Sequence, residues 1–325
     1  MVAVTGATGH LGTVLVKQLV ERGDRVRYLA RSGPTAGLAG LDAESVPGDL
    51  TDRGALARLV SGVDVVFHCA ARISIIPGDW VALQRTNVEG TRAVLEAARA
   101  AGVRRFVDVA SIEAFPLDNL VRPVTEEQAI DPGRTAIEYG TSKALAVEEV
   151  LAASGDGIEC VVCAPTSFIG PPDYRRSPLG QVISDYLHRK LPAMVDGGFD
   201  FVDVRDVADG VIKAGDNGKP GRIYLLSGRF ATIPELMSIL ESVSGVPSPR
   251  LCLPQWLIRP FTPAIELYYR VSGRPPQFTR SSLKLLRLNV TVDSSRARDE
   301  LGFASRPLEE TLADTAEWLR TERID

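Results

Sequence analysis

Residues 2–12 read Val-Ala-Val-Thr-Gly-Ala-Thr-Gly-His-Leu-Gly, and no other stretch limits the fold as much. An apolar run, glycines at 6, 9 and 12 and an apolar-periodic segment behind them predict a strand, a tight loop and a helix. Gly6 permits the turn, Gly9 lets backbone approach a phosphate, and Gly12 lets the helix pack on the strand. Backbone N–H groups at a helix N-terminus favour anions, so this loop is a candidate pyrophosphate cradle. Gly6, Thr8, Gly9, His10, Leu11 and Gly12 are the residues expected to face it. A Gly-rich β-α turn that holds no ligand is the plainer alternative.

The alternation continues through the first half. Strands are expected near 2–5, 25–30, 44–46, 64–69, 104–110 and 158–164, and helices near 11–22, 54–60, 80–100 and 135–153. The strands are nearly continuous apolar runs, such as 63–71 with its Val-Val-Phe core, which suit a parallel sheet covered on both faces. Regular β-α alternation predicts an α/β fold with a doubly wound parallel sheet. After Pro165 the pattern changes to Pro- and Gly-rich sequence. Strand character returns at Phe201–Val204 and Ile223–Leu226, with a helix near 206–214. Residues 1–165 plus 201–229 are therefore expected to form the dinucleotide-binding domain, and 166–200 plus 230–325 a smaller, discontinuous substrate lobe. A chain of 325 residues has room for both.

Composition excludes several classes. A net charge of −4 exerts no global pull on nucleic acid. Four cysteines in 325 residues make no disulfide framework. Cys160-Val-Val-Cys163 has the spacing of half a zinc site, but it lacks a second pair and lies in an apolar run, and only three histidines exist, so no metal is expected. With a strand expected from residue 2, no signal peptide is expected, and no apolar run reaches the ~18–20 residues of a membrane span. A cytoplasmic, reducing setting is expected.

Tyr139-Gly-Thr-Ser-Lys143 opens the helix expected over 135–153. The i, i+4 spacing puts phenol and ammonium on one face, about 5–6 Å apart at Cβ. A free Tyr titrates at ~10, and a neighbouring Lys⁺ together with a cationic nicotinamide would lower that value and suit Tyr139 to proton exchange with a substrate oxygen. Alone, the spacing equally describes a surface pair. Ser111 sharpens it, because it ends the apolar strand 105–110 at the carboxyl edge where such sheets bind ligands.

With these residues in place, the chain resembles an extended short-chain dehydrogenase/reductase, most closely the dihydroflavonol-reductase-like, hopanoid-associated-epimerase-like and 3β-hydroxysteroid-dehydrogenase-like members. The resemblance is carried by Thr5–Gly12, Gly48-Asp49-Leu50, Asp64–Ala71, Thr86-Asn87-Val-Glu-Gly90-Thr91, Ser111, Tyr139-x-x-x-Lys143 and Asp203-Val-Arg-Asp206-Val-Ala208, in order. It implies Ser111, Tyr139 and Lys143 as the catalytic trio. It also implies Asp49 and Leu50 beside the adenine, Cys69, Ala70 and Ala71 along the cofactor, and Ala110 at the strand end. Asn87 would order the site, and Pro165 and Thr166 would line the nicotinamide end. Asp49 as a turn residue and Asn87 as a helix cap remain alternatives. The family often forms homodimers through the two helices near 80–100 and 135–153, so a homodimer is expected.

An acid at the end of the second strand would bind the ribose hydroxyl of NAD, but here the sequence runs Ala30-Arg31-Ser32-Gly33. Arg31 can pair with a 2′-phosphate through a forked contact. NADP(H) is therefore expected, with NAD(H) the alternative.

Within the family, the residues favour an oxidoreductase acting on one carbonyl or carbinol of a fairly apolar small molecule over a nucleotide-sugar epimerase that retains its cofactor. The Arg-Pro pair common in sugar-nucleotide members is Ala164-Pro165 here, and the Asp-Glu of the dehydratases is Ile112-Glu113. Glu113 and Phe168 are candidate substrate residues, with a solvent-facing Glu113 the alternative. Trp256, Leu257, Phe261, Tyr268 and Tyr269 cluster in 254–271, and residues 250–298 carry nine Lys/Arg against Glu266 and Asp293. That imbalance suits a diphosphate-bearing substrate, a peripheral membrane contact through 254–298, or simply a solvated face.

Overall fold

The computed structural model describes residues 1–33, 35–117, 123–266 and 279–322. In chain order the first elements are β1 (Val2–Thr5), α1 (His10–Glu21), β2 (Val26–Ala30), β3 (Ala43–Pro47), α2 (Arg53–Val60) and β4 (Val65–His68). There follow α3 (Trp80–Leu83), a π turn at Gln84–Glu89, α4 (Gly90–Ala100), β5 (Arg105–Val109), α5 (Glu138–Ala153) and β6 (Glu159–Pro165). The later part comprises β7 (Ser167–Ile169), α6 (Pro178–Leu187), β8 (Met194–Val195), β9 (Gly198–Asp203), α7 (Val204–Asn217), β10 (Ile223–Leu226), β11 (Arg229–Thr232), α8 (Ile233–Ser244), β12 (Cys252–Leu253) and α9 (Gln255–Ile258). Finally come α10 (Arg280–Leu288), α11 (Ser295–Leu301) and α12 (Leu308–Thr321).

Seven strands form one parallel sheet in the order β10-β6-β5-β4-β1-β2-β3. Strand order reverses at β1, between β2 and β4, which opens a crevice at the carboxyl ends. Each face carries its own core. Leu15 and Leu19 of α1, Val207 and Val211 of α7 and Leu301 of α11 pack on one side. Leu56 and Leu59 of α2, Val94 of α4 and Val147 and Val150 of α5 pack on the other. These buried sets recur at helical spacing, so burial and periodicity agree.

The expected strands and helices of the first half appear within a few residues. Two differences matter. The helix expected over 80–100 is interrupted by the π turn, where Asn87 is buried. The strand expected at Phe201–Val204 exists as part of β9, but it joins a separate three-stranded sheet, β11-β9-β7, rather than the main one. Asp203 ends β9 and caps α7, accepting the Arg205 N–H at 2.8 Å, so the chain passes directly from the small sheet into a helix on the large one. Arg306, just before α12, is tied to α7 by donating to Asp206 from its backbone N–H at 2.7 Å and from Nη2 at 2.6 Å. Around the small sheet, Ile183, Tyr186, Phe201, Leu236, Leu240 and Leu312 form a third core.

Candidate active site

The glycine loop is shaped by contact. Gly6 sits at φ +70°, and a Cβ there would lie 2.5 Å from the Ala70 nitrogen. A Cβ on Gly12 would stand 2.1 Å from the Gly6 carbonyl oxygen, so α1 packs on the loop only through glycine. Gly9 is the N-cap of α1 in extended backbone and offers no side-chain cap. The first-turn N–H groups of α1 therefore have no acceptor from the cap side chain. His10 places Nε2 2.8 Å from the Gly170 carbonyl, while its buried Nδ1 has no partner. Close backbone, free N–H groups and an orphaned ring nitrogen fit a dinucleotide phosphate.

Other cofactor candidates flank this loop on the same sheet edge. Arg31 directly follows β2 and is exposed. Asp49 has a local role: its Oδ1 accepts from the Thr51 N–H at 2.8 Å and hydroxyl at 2.6 Å, and these bonds hold its carboxyl below the ordinary range. Leu50 wedges against the start of α4, where a Cβ on Gly90 would meet its Cδ1 at 2.7 Å. Cys69 and Ala70 continue β4 beside the loop, with the Cys69 N–H donating to the Thr5 carbonyl at 3.2 Å. Burial pushes the Cys69 thiol up to about 12, so it carries no thiolate chemistry.

Beneath these residues runs a buried polar chain that composition did not reveal. The Ala70 N–H reaches Thr5 Oγ1 at 3.4 Å, and Thr5 Oγ1 lies 2.7 Å from His68 Nδ1. His68 Nε2 lies 3.0 Å from Thr91 Oγ1, which donates to the Asn87 carbonyl at 2.6 Å. Because the Thr91 proton goes to Asn87, His68 must donate from Nε2 and accept at Nδ1 from Thr5. Burial, with Lys143 nearby, lowers the His68 pKa to about 3, so the ring is neutral. Asn87 completes the chain. Its Oδ1 accepts from the Arg72 N–H at 2.8 Å, and its Nδ2 donates to the Arg72 carbonyl at 2.9 Å and to Ser142 Oγ at 2.8 Å. Both ends of the amide are thus occupied by protein, which makes Asn87 an ordering residue rather than a cofactor contact.

Ser111, Tyr139 and Lys143 converge at the carboxyl edge of β5. Ser111 caps a 3-10 turn over Ile112–Ala114 by accepting the Glu113 N–H at 3.2 Å, and its side chain lies near enough to the buried Tyr139 phenol to favour the phenolate. Lys143 is 1% exposed and donates from Nζ to the Val109 carbonyl at 2.7 Å. The expected lowering of the Tyr139 pKa is not produced by the protein. Burial and the Glu113 charge push the phenol up, with Ser111 opposing, because Lys143 is turned onto the β5 backbone. Sequence reading also missed Asp108, one residue before Val109. It is fully buried with both oxygens unpartnered, and burial raises its pKa against the pull of Lys143. The signal was an aspartate inside an otherwise apolar strand.

At Glu113 lies a narrow pocket of about 30 Å³. Its polar walls are Glu113, Thr166, Ser167 and Asp200, and its apolar walls include Leu117, Phe199, Leu285 and Leu288. Glu113 is therefore not a solvent-facing residue: Oε2 is buried without a partner, and burial raises its carboxyl to about 7. Thr166 donates to Asp200 Oδ1 at 2.7 Å, which orients both at the pocket floor. Ala110 and Pro165 end their strands beside it, Ala110 donating to the Cys163 carbonyl at 2.8 Å. Phe168 does not line this pocket. It tilts against the His10 ring at 5.6 Å, because β7 turns its side chain toward the glycine loop.

The comparisons give the family. A model of the NAD dependent epimerase/dehydratase family matches residues 2–227. The chain belongs to that family. Within it, the protein is an NAD(P)-dependent enzyme of the extended short-chain dehydrogenase/reductase type. It is 37% identical to "Sterol demethylase protein B" of Methylococcus capsulatus, over 98% of this chain and 97% of that one. It is 34% identical to a "Putative dihydroflavonol 4-reductase" of Synechocystis, over 98% and 94% of the two chains. A farnesyl-dihydroquinoline-oxide ketoreductase of Stigmatella aurantiaca is also 34% identical, over 93% and 91%. Among solved structures, gox2253 superposes with a TM-score of 0.85 at 33% identity, over 98% of each chain.

Proposed function

We propose that the protein is an NADP(H)-dependent oxidoreductase that reduces a carbonyl, or oxidises the carbinol, of a fairly apolar small molecule. The observation that carries this reading is the pocket at Glu113, whose walls are mostly aliphatic, with Phe199 among them. Relatives named for a sterol and for a farnesylated quinoline support it. The main sheet would hold the cofactor and the smaller lobe the substrate.

The cofactor, when bound, supplies or accepts hydride. Tyr139, kept neutral by its buried surroundings, is set up to donate a proton to the substrate carbonyl oxygen. Ser111 fixes the same oxygen through its hydroxyl. Lys143, held at the Val109 carbonyl, would hold the nicotinamide ribose when the cofactor is bound, and its positive charge would stabilise the tyrosinate left once the proton is given up, which solvent then reprotonates. Tyr139→Phe should lower kcat by at least about 10²-fold with cofactor binding retained; full turnover in that variant would remove Tyr139 from the mechanism.

NADP(H) is assigned on Arg31, which stands at the β2 edge with no acid beside it. Titration of NADPH and NADH against wild type and Arg31→Ala tests this. Loss of a forked phosphate contact should weaken NADPH by about tenfold or more and leave NADH unchanged. A homodimer through the outer faces of α4 and α5 is part of the proposal, and light scattering at low micromolar concentration checks it.

A further inference from the structure

Among the described residues, Leu251, Trp256, Leu257 and Phe261 stand exposed within one short stretch, Trp256 at 73% and Phe261 at 63%. The segment that carries them is firmly held. The Gln255 N–H donates to Asp196 Oδ1 at 2.8 Å, and its side-chain Nε2 donates to the Asp196 carbonyl at 2.9 Å. Just before it, β12 pairs with β8. Ile258 turns inward onto Val195, Leu283 and Leu286. Thus α9 is clamped with Ile258 in and Trp256 and Leu257 out, and Phe261 follows in the next turn. Large apolar groups left in water forgo their burial free energy, so a fixed cluster of them marks a contact surface.

Its charge is mainly positive, since Asp196 is engaged by Gln255 and Glu266 accepts the Arg280 N–H at 2.8 Å. Arg250 and Arg259 lie in the stretch, and no acid occurs from 250 to 265. On α10, which packs against Ile258, the exposed residues Arg280, Lys284 and Arg287 follow i, i+4, i+7 spacing. Arg250, Arg259, Arg280 and Arg287 form no side-chain ion pair among the described residues.

We propose that this face docks on an anionic bilayer surface, with Trp256, Leu257 and Phe261 at the headgroup boundary and Arg250 and Arg259 against lipid phosphates. A second copy is the poorer occupant. A two-fold contact through 250–261 would set the same arginines against each other with no carboxylate in the stretch to pair them. A bilayer supplies apolar depth and negative charge together. No helix among the described residues is long and apolar enough to cross a membrane, so the contact is peripheral. The inner side of α10 gives Leu285 and Leu288 to the pocket at Glu113. Docking would therefore present that pocket to lipid-borne molecules, a consequence that rests on the proposed function, whereas the docking itself does not.

Vesicle flotation of the full chain tests docking without any substrate. Wild type should float with phosphatidylcholine/phosphatidylglycerol vesicles at low salt and about tenfold less with phosphatidylcholine alone. Trp256→Ser/Phe261→Ser and Arg250→Glu/Arg259→Glu should each bind the anionic vesicles at least about tenfold more weakly, with unchanged circular dichroism. Quenching by brominated lipid should drop on Trp256→Phe. Failure of wild type to float, or wild-type binding by both double variants, would overturn the proposal. So would a dimer that Trp256→Ser/Phe261→Ser dissociates, which would assign the face to a second copy.

Discussion

Gly140, directly after Tyr139, offers a direct test of the site's geometry. A Cβ at this position would stand 2.3 Å from the Glu113 carbonyl oxygen and 3.2 Å from its carbon, where ordinary contact begins near 3.4 Å. Carbonyl and helix are both backbone, so neither yields as a flexible side chain would. In Gly140→Ala, α5 must withdraw from the Ile112–Ala114 turn by about 1 Å. Tyr139 and Lys143 ride on α5, whereas Ser111, Glu113 and the Val109 carbonyl lie on the other side of the gap.

The stability and activity consequences diverge. Ala is favoured over Gly in a helix interior by ~1 kcal/mol, while overpacking costs ~1–3 kcal/mol, so the net loss is at most about 2 kcal/mol. A misplacement of ~1 Å between reacting groups costs on the order of 10²-fold in rate. Steady-state oxidation of NADPH, with a carbonyl compound that the wild type turns over, should show kcat falling about 100-fold in a folded variant. Gly54→Ala is the control. It lies in α2, where a Cβ meets only Asp52 Oδ1 at 3.3 Å and an Arg58 nitrogen at 3.5 Å, and it should leave kcat unchanged. A kcat for Gly140→Ala within threefold of wild type would show that the approach of α5 to Glu113 does not set the site.

Two further outcomes follow from buried charges. His68 titrates at about 3 instead of 6.5, so stability falls as pH drops from 6.5 toward 3. Glu113 titrates at about 7 instead of 4.5, so it adds stability as pH drops from 7 toward 4.5. Between pH 7 and pH 5 the two contributions are each about 2 kcal/mol and opposite in sign. In urea titrations at both pH values, Glu113→Gln should lose about 2 kcal/mol more than wild type on acidification, and His68→Gln about 2 kcal/mol less; identical responses would refute both assignments. Arg306→Met should leave Asp206 without its partner and lower stability by about 2 kcal/mol, or Tm by roughly 4 °C, and an unchanged Tm would show that the fold does not depend on this pair.

The alternating half of the chain could be read because its signals are local. Gly6, Gly9 and Gly12 fix the first loop by spacing, and Tyr139 and Lys143 share a helix face by spacing. What escaped was decided by contacts between distant segments. Val202 sits in a strand-like run, but only its pairing with Phe168 places it on the smaller sheet. Phe168 packs on His10 and does not line the pocket at Glu113 because β7 runs beside β9, across a register no window of sequence contains. Lys143 looked like the group that lowers Tyr139, yet the Val109 carbonyl, 34 residues earlier, captures its ammonium. Leads on Tyr268, Tyr269, Arg270 and Arg274 lie outside the described residues.

The polar chain from Ala70 to Ser142 explains why the π turn falls where it does. Asn87 must face the Arg72 backbone on one side and Ser142 of α5 on the other, while its own carbonyl receives Thr91 one turn later. A π turn widens the helix locally and shifts the register of the side chains that follow. The α3–α4 helix can then carry Asn87 toward the site and still seat Val94 and Leu95 in the core. The chain works only while every member is neutral. A protonated His68 would donate from both ring nitrogens, and Thr5 Oγ1 would have to turn its own proton away from Nδ1. The histidine is therefore placed where water cannot reach it, and its low pKa follows from that burial. Ordering of the backbone at Ala70 and of α5 at Ser142 thereby becomes one cooperative event, since satisfying each donor fixes the next acceptor.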